Sequence, residues 1–203
     1  MENYAIILAA GSGKRFGSNT PKCFIKLNKT PIYEFSLKTF CKIPSFKKVI
    51  LVVPKQYKNT IKYDDKRVIV VAGGNTRNQS FEKGLKVIKN IDKNDKILIH
   101  DAARINVQIE DIVKILDSKL TFGTLCYLGN KNNSDLRFGK YNIQTPQFCQ
   151  YHIYKEAIKN PQGKDLLTYL LLHPTKNNFI ISSNQSQNFK ITFKKDLKKA
   201  KSI

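Results

Sequence analysis

Three features are missing from the sequence, and each absence excludes a class of protein. No segment approaches the roughly 18 consecutive apolar residues that a membrane span requires. The N-terminus has no basic-then-apolar secretion signal, because its apolar stretch at 4–10 is itself predicted to be a strand. The four cysteines are scattered without a Cys-x-x-Cys pair, so neither a disulfide framework nor a zinc site is indicated. We therefore expect a cytoplasmic protein with free thiols.

Acidic residues are scarce: 15 Asp and Glu stand against 36 Lys and Arg, which gives a formal net charge of +21. A strongly basic domain often binds nucleic acid. Here the lysines lie along the whole chain, including both faces of the probable helices at 82–90 and 196–201, and they form no single stripe with interleaved aromatic residues. This distribution argues against a nucleic-acid role. It favours an AT-rich coding bias that fills surface positions with lysine.

Short apolar runs rich in β-branched residues alternate with segments of helical spacing. The alternation predicts a βαβ series and one α/β domain over residues 1–203 with a mostly parallel sheet, whose ligand crevice lies at the carboxyl ends of the strands. The predicted strands are 4–10, 48–53, 67–71, 96–100, 121–128, 179–182 and 189–193, and the predicted helices are 32–40, 79–88, 109–116, 150–159 and 165–172.

A glycine-rich turn follows the first predicted strand. Gly11 and Gly13 expose backbone N–H groups, and Arg15 and Lys22 add cations where a triphosphate would lie. The spacing is neither the Walker form nor the dinucleotide form Gly-x-Gly-x-x-Gly. Polar segments at 73–80 and 101–104 follow two further predicted strands, so parallel pairing would bring them to the same sheet edge. The sequence therefore predicts a nucleotide site at this edge.

The block Leu8-Ala9-Ala10-Gly11-Ser12-Gly13-Lys14-Arg15-Phe16-Gly17 with Pro21-Lys22 resembles the signature of sugar-nucleotide and alditol-phosphate nucleotidylyltransferases. Four later segments narrow the match, namely 71–80 with Gly84-Leu85, His100-Asp101-Ala102-Ala103-Arg104, Gln144-Thr145-Pro146-Gln147, and 188–192 with Asp196-Leu197. Together they resemble the 2-C-methyl-D-erythritol 4-phosphate cytidylyltransferase family of the non-mevalonate isoprenoid pathway. This resemblance implies a three-layer Rossmann-like nucleotidyltransferase fold, with a shortened protruding arm at about 125–143.

The resemblance also implies roles for individual residues in cytidylyl transfer from CTP, with release of pyrophosphate. Asp101 would hold Mg²⁺, although a carboxylate at a strand end also suits a helix N-cap. Ser80 would help to enclose the base or would only bond a helix end, and Arg77 would be a ligand contact or a loop brace. The implied catalytic residues are Arg15, Lys22 and Lys190, and the implied nucleotide-binding residues are Ala9, Ala10, Gly11, Ser12, Gly74, Asn75 and Ser80.

Arginine is rare in this chain, and only five of the 36 basic residues are arginine. Four of the five, Arg15, Arg77, Arg104 and Arg137, fall at positions where the family's motifs have arginine, while Arg67 does not. Because lysine serves elsewhere, these four positions are expected to need the planar fork of the guanidinium, which can hold two phosphate oxygens at once.

The acceptor side departs from the family pattern. Ile105 replaces a proline, and the stretch 125–131 lacks the arm's threonine. The interval between Arg104 and Thr145 is also short, so the arm is trimmed and a homodimer formed through it stays open. The acceptor-binding residues implied by resemblance are Arg104, Arg137 and Thr145. The favoured acceptor is 2-C-methyl-D-erythritol 4-phosphate. Ribitol 5-phosphate or another alditol phosphate, an inactive binding homologue and a basic nucleic-acid binder stay open.

Overall fold

One eight-stranded sheet forms the centre of the computed structural model, which describes residues 1–128, 136–138, 141–157, 159, 179–182 and 188–201. Its strands are β1 (Asn3–Leu8), β4 (Phe46–Val53), β5 (Val68–Ala72), β6 (Lys96–Asp101), β7 (Phe122–Leu128), β8 (Leu136–Phe138), β9 (Tyr141–Gln150) and β10 (Phe179–Ile181), while β2 (Lys26–Leu27) and β3 (Thr30–Pro31) form a separate hairpin. The strand order is β10-β7-β9-β6-β1-β4-β5, and β8 pairs with β9.

The sheet is mostly parallel, as the βαβ series predicts. β1 lies between β4 and β6 and runs parallel to both, β5 continues parallel to β4, and β10 runs parallel to β7. β9 is antiparallel to both of its neighbours, β6 and β7. The carboxyl ends of β1, β4, β5 and β6 therefore meet at one edge.

Helices cover both faces of the sheet and make three layers. They are α1 (Ile32–Cys41), α2 (Arg77–Leu85), α3 (Ile109–Asp117), α4 (Tyr151–Ala157) and α5 (Asp196–Lys201). Ala5 and Ile7 of β1 pack in a core that includes α1 and α3, whereas Tyr4 and Ile6 pack in a second core that includes α2 and α4. Both faces of β1 are buried from Tyr4 to Ile7, which accounts for its apolar run from Tyr4 to Leu8. Among the described residues, no helix has the length and apolar character needed to span a membrane.

Two sequence expectations are corrected by the structure. Residues 189–193 form no strand, because their contact with the turn after β6 is the single backbone bond from Ile191 N–H to the Ala103 carbonyl at 3.0 Å. The stretch 141–150, for which no strand is predicted, is the internal strand β9. The predicted helix at 165–172 lies outside the described residues.

β9 bulges where the sequence carries Gln144-Thr145-Pro146. Thr124 pairs with Gln147 and Cys126 pairs with Ile143, so the three residues between the pairs face one residue of β7. Pro146 has no N–H to give to a ladder, which suits a bulge. The Thr145–Pro146 peptide is cis. The bulge brings Thr145 next to the carboxyl end of β6.

Candidate active site

A cavity of about 680 Å³ opens at the carboxyl ends of β1, β5 and β6. It gathers segments that lie far apart in the chain: the turn after β1, the start of α2, the end of β6 and the C-terminal stretch before α5. The sequence-predicted site residues that line it are Ala10, Gly11, Ser12, Arg15, Lys22, Gly74, Asn75, Ser80, Asp101 and Lys190. Ala9 is fully buried beneath it, and its N–H donates to the Val52 carbonyl at 2.7 Å.

The turn after β1 closes tightly around a glycine. Gly13 has φ +64°, and a Cβ on it would lie 2.9 Å from the Cβ of Lys22. A side chain at this position would be strained and would push Lys22 away. Phe16, which follows directly, is buried in a cluster with Phe189 and Ile191, so the turn is anchored on the C-terminal segment. The glycine and the aromatic anchor together fix where Arg15 and Lys22 stand.

Lys22 points into the junction between the turn and the C-terminal segment. Its Nζ donates to the Ile191 carbonyl at 2.6 Å. Burial lowers the pKa of Lys22, and the neighbouring cations Lys190 and Arg15 lower it further, while Cys23 and Asp101 oppose that shift. An ammonium that is partly removed from water attracts a phosphate oxygen more strongly than a fully hydrated one.

Asp101 is the charged centre of the cavity. Its Oδ2 lies 2.6 Å from Lys190 Nζ, and its Oδ1 lies 3.3 Å from Arg77 Nε. Burial alone would raise the pKa of Asp101, but the charges of Lys190, Arg77 and Arg104 outweigh it and hold the pKa well below its usual range. The helix N-cap interpretation does not hold, because a turn follows Asp101 and α3 begins at Ile109.

Of the two roles that the sequence left open for Arg77, the structure shows the brace, and contact with a ligand stays a prediction. Arg77 lines the cavity, and its guanidinium bridges Asp101 on β6 and the Oε1 of Gln147 on β9, at 3.1 Å from the latter. In this structure Arg77 therefore braces the site from within it.

The donor set around Asp101 fits Mg²⁺ bound mainly by substrate. Among the described residues, no three His, Cys, Asp or Glu side chains lie together as an all-protein metal site would need. Mg²⁺ is commonly held by one or two carboxylates, with water and substrate phosphates completing its octahedron. One ionised carboxylate on the wall of a cation-lined cavity meets that requirement.

The loop between β5 and α2 is shaped by side chains at the start of the helix. Ser80 Oγ accepts the Gly74 N–H at 3.1 Å, and Gln79 Oε1 accepts the Asn75 N–H at 2.9 Å. Thr76 and Gln79 form a reciprocal capping box. Gln79 is therefore a loop-shaping residue that the site prediction omits, although the spacing Thr-x-x-Gln is a visible capping signal.

The geometry can be compared with known proteins. The family model for 2-C-methyl-D-erythritol 4-phosphate cytidylyltransferase matches residues 4–127. The chain is 34% identical to the 2-C-methyl-D-erythritol 4-phosphate cytidylyltransferase of Caldicellulosiruptor saccharolyticus. The alignment runs over 222 residues and covers 100% of this chain and 97% of that protein. The chain is 32% identical to the enzyme of the same name from Endomicrobium trichonymphae, and that alignment covers 100% of this chain and 99% of the relative.

The chain belongs to the 2-C-methyl-D-erythritol 4-phosphate cytidylyltransferase family. The crystal structure of the Francisella tularensis member superimposes with a TM-score of 0.78 at 26% identity and covers 98% of each chain. This match supports the Rossmann-like α/β fold predicted from the sequence.

Two residues that family resemblance places at the acceptor lie behind the cavity in this structure. Arg104 is 3% exposed, and its guanidinium donates to the Asn188 carbonyl at 2.8 Å. Thr145 is 2% exposed, and its Oγ1 accepts the Asp101 N–H at 3.1 Å. Neither lines the cavity. In this structure the two residues brace the site, and their contact with the acceptor phosphate stays a prediction.

The third acceptor candidate, Arg137, has its backbone in β8, opposite Asn142 of β9. Its side chain and the arm residues 129–135 and 139–140 lie outside the described residues. Acceptor contact by Arg137 and dimerisation through the arm therefore stay predictions. Thr192 lines the cavity beside Lys190 but has no role in the sequence prediction, although it stands in the C-terminal motif that revealed the family.

Proposed function

We propose that this chain transfers a cytidylyl group from CTP to 2-C-methyl-D-erythritol 4-phosphate and releases pyrophosphate. The observation that carries the proposal is that four cations, Arg15, Lys22, Arg77 and Lys190, line one cavity with the carboxylate of Asp101 in a chain of this family. A triphosphate and a phosphate monoester are both anionic, so their reaction needs such a concentration of positive charge.

The transfer is an in-line displacement at phosphorus. A phosphate oxygen of the acceptor attacks the α-phosphorus of CTP, a new P–O bond forms, and the bond to the bridging oxygen of the leaving pyrophosphate breaks. The attacking oxygen is already ionised near neutral pH, so the protein does not have to remove a proton from it. Its work is to position both reactants and to stabilise charge on the phosphoryl oxygens.

Lys22 and Arg15 are proposed to bind the triphosphate and to stabilise its transition state. Lys22 would exchange its bond to the Ile191 carbonyl for a phosphate oxygen, and the backbone N–H groups of Gly11 and Ser12 would cradle the phosphates from the turn. Lys190 reaches Asp101 from the C-terminal segment and contacts Oδ2, whereas Arg77 contacts Oδ1.

Asp101 is proposed to hold Mg²⁺ together with the triphosphate. When bound, Mg²⁺ would neutralise phosphate charge and orient the triphosphate. Lys190 and Arg77, which now pair with the Asp101 carboxylate, would turn toward phosphate oxygens.

The base is proposed to lie between Ala10 and the loop that holds Gly74 and Asn75. Gly74 permits close approach of this loop to the helix start, since a Cβ on it would lie 2.5 Å from the Cβ of Gln79. Ser80 keeps the loop in place through its bond to Gly74. Backbone groups brought this near can recognise the edge of a pyrimidine.

The proposal extends to the compartment. Four free cysteines, of which Cys23, Cys126 and Cys149 are buried, suit a reducing environment, so we propose that the reaction takes place in the cytoplasm.

Pyrophosphate release by the purified protein tests the function. Reactions would contain CTP and Mg²⁺ with 2-C-methyl-D-erythritol 4-phosphate or ribitol 5-phosphate as acceptor, and Lys22→Ala would serve as the blank. We expect release with methylerythritol phosphate alone, and its loss on chelation of Mg²⁺. Release with ribitol 5-phosphate alone would show that ribitol 5-phosphate, and not methylerythritol phosphate, is the acceptor. No release with either would refute cytidylyl transfer.

A further inference from the structure

A line of buried hydrogen bonds runs behind the cavity, in a place that the proposed mechanism does not use. Thr145 Oγ1 lies 3.1 Å from the Asp101 backbone nitrogen and 3.1 Å from His100 Nδ1. His100 Nε2 lies 3.0 Å from the Arg104 carbonyl oxygen. We call this line, from the Asp101 N–H through Thr145 and His100 to the Arg104 carbonyl, the His100 network. His100 is 0% exposed.

The partners fix where the protons lie. A carbonyl oxygen can only accept, so His100 Nε2 carries the proton and donates it to Arg104. The neutral ring then has a lone pair at Nδ1, which accepts the Thr145 hydroxyl proton, and the Thr145 oxygen in turn accepts the Asp101 N–H. Each polar atom of the His100 network therefore has a partner, and the line has one direction.

The His100 network joins three segments that carry the site. It ties the carboxyl end of β6 to the bulge of β9 and to the turn that follows β6. From that turn the Arg104 guanidinium reaches the Asn188 carbonyl, and the Asn188 amide donates back to the Thr145 carbonyl at 2.8 Å. Asn188 precedes Lys190 by two residues, so the frame that holds Asp101 also holds Lys190.

We propose that His100 is a positioning residue of the transfer reaction: by linking Thr145 to the turn after β6, it sets the Asp101 carboxylate and the Lys190 ammonium in the relative position that the reaction needs. The inference rests on the proposed function for its kinetic consequence. His100 touches neither nucleotide nor acceptor in this arrangement, because it does not line the cavity.

A purely structural role for His100 predicts a different outcome. The imidazole packs against the Phe40 ring with 5.2 Å between centroids, so the ring could serve only to fill the core. His100→Phe keeps an aromatic ring there and removes both hydrogen bonds, while His100→Asn keeps an amide near the position of Nδ1. The pair separates ring packing from hydrogen bonding.

With wild-type turnover established, we expect His100→Phe to lower kcat by about 10- to 100-fold, the loss that a misplacement of about 1 Å produces. The KM for CTP should change far less, because the turn after β1 and the start of α2, which cradle the nucleotide, are outside the network. His100→Asn should recover part of the loss. A wild-type kcat in His100→Phe, or a loss that only follows the folded fraction measured by circular dichroism, would overturn the proposal.

A double-mutant cycle with Thr145→Val tests whether the two residues act through one line. We expect the double variant to lose no more kcat than the worse single variant, since either change breaks the line. Thr124→Val is the matched control: its hydroxyl is also buried and donates to the Gln144 carbonyl of the same bulge at 2.9 Å, but it has no link to β6. This control should keep the wild-type kcat. Losses that add in the double variant would contradict the proposal.

Nitrogen-15 spectra of the histidine rings separate failure of this inference from failure of the proposed function. The chain has three histidines, so His100→Asn assigns the His100 signals by their disappearance. We expect the neutral Nε2–H tautomer in the wild type and a displaced Nδ1 signal in Thr145→Val. If the wild type transfers no cytidylyl group, the proposed function fails and the spectra test the network alone. A ring protonated at Nδ1, or an Nδ1 signal unmoved in Thr145→Val, refutes it.

Discussion

Lys22 is held in place by its surroundings and is partly removed from water. It follows a proline and a tight glycine turn, its ammonium touches the Ile191 carbonyl, and burial lowers its pKa. A bound phosphate would replace one carbonyl partner by a full negative charge, so its largest effect is expected on the step where phosphoryl charge develops.

Lys22→Ala should therefore lower kcat by about 10²- to 10³-fold, the loss typical for removing one charge-stabilising donor. Pyrophosphate release at saturating CTP measures the effect. Lys26→Ala is the matched control, because this exposed lysine on the next hairpin is nearby in sequence but does not line the cavity. Near-normal turnover of Lys22→Ala, with the melting temperature intact, would remove Lys22 from the site.

Arg137 is predicted to act on the acceptor alone. It stands eight residues before Thr145, at the family's offset, in a chain that otherwise prefers lysine. Arg137→Ala should lower kcat/KM for the acceptor by about 10- to 100-fold, as expected for losing a charged hydrogen bond, while leaving the KM for CTP unchanged. Unchanged acceptor kinetics would show that the assignment of the arm is wrong.

At the scale of elements, one buried lysine on a strand caps the C-terminus of a helix. Lys96, at the start of β6, is 1% exposed, and its Nζ donates to the carbonyls of Ile115, Leu116 and Ser118 at 2.9, 3.0 and 2.8 Å. These carbonyls lie at or just beyond the C-terminus of α3, where helical carbonyls lack partners within the helix. The ammonium supplies those partners and complements the negative end of the helix dipole.

Lys96→Met should lower the free energy of unfolding by about 1 to 3 kcal/mol, because it leaves buried carbonyls without donors. Urea denaturation measures this change, with Lys93→Met at an exposed position as the control. The kcat of the folded variant should stay at the wild-type value, since β6 separates Lys96 from Asp101. A stability equal to that of the wild type would show that the three contacts carry no net energy.

Arg67, the arginine outside the family motifs, also joins elements. It pairs with Asp65 at 2.7 Å and donates to the carbonyls of Cys41 and Ile43, which tie the end of α1 to the start of β5. The hydrogen bonds from Arg67 lower the pKa of Asp65 to about 2. An arginine fork can make several such bonds at once, which a lysine cannot.

Asp65→Asn tests the ion pair between Arg67 and Asp65 through the pH dependence of stability. The pKa of Asp65 is lower in the folded chain than the value of about 3.9 in the unfolded chain, so its stabilisation is complete above about pH 4 and is lost as the pH falls toward 2. Near pH 7 the variant should be less stable by about 1 kcal/mol. Denaturation at several pH values should show this gap closing in acid, and Asp64→Asn, which is exposed, should show none. A gap independent of pH would contradict the ion pair.

Elements whose apolar residues are continuous were predictable from the sequence, and β9 was not. β1, β4 and β6 are buried between helix layers and β5 is half-buried beside β4, and each of the four carries the apolar run that such packing requires. β9 is buried as well, but it carries Gln144, Thr145 and Gln147, whose partners come from distant segments. The site residues divide in the same way, into those that a local pattern locates and those that depend on distant contacts. Strand-end positions such as Asp101 follow from topology, whereas the burial of Arg104 depends on tertiary contacts that no local pattern records.

For the whole molecule, the net charge of +21 has two opposing consequences. Lysines spread over the surface repel one another and destabilise the compact state, but their summed field also attracts anionic substrates toward the cavity. Both effects act through solvent, so salt weakens both. At 0.15 M ionic strength, interactions between exposed charges fade over about 8 Å.

Raising NaCl from about 10 mM to about 150 mM, where the screening length becomes about 8 Å, should therefore raise the melting temperature and also raise the KM for CTP. The kcat should change less than KM, because the cavity cations Lys22, Arg77 and Lys190 are partly buried and would act on bound substrate. Differential scanning fluorimetry and initial rates over one salt series measure both quantities on the same preparation. A melting temperature that falls with salt would show that attractive ion pairs, rather than lysine repulsion, dominate the surface. A KM independent of salt would confine the attraction for CTP to the contacts within the cavity.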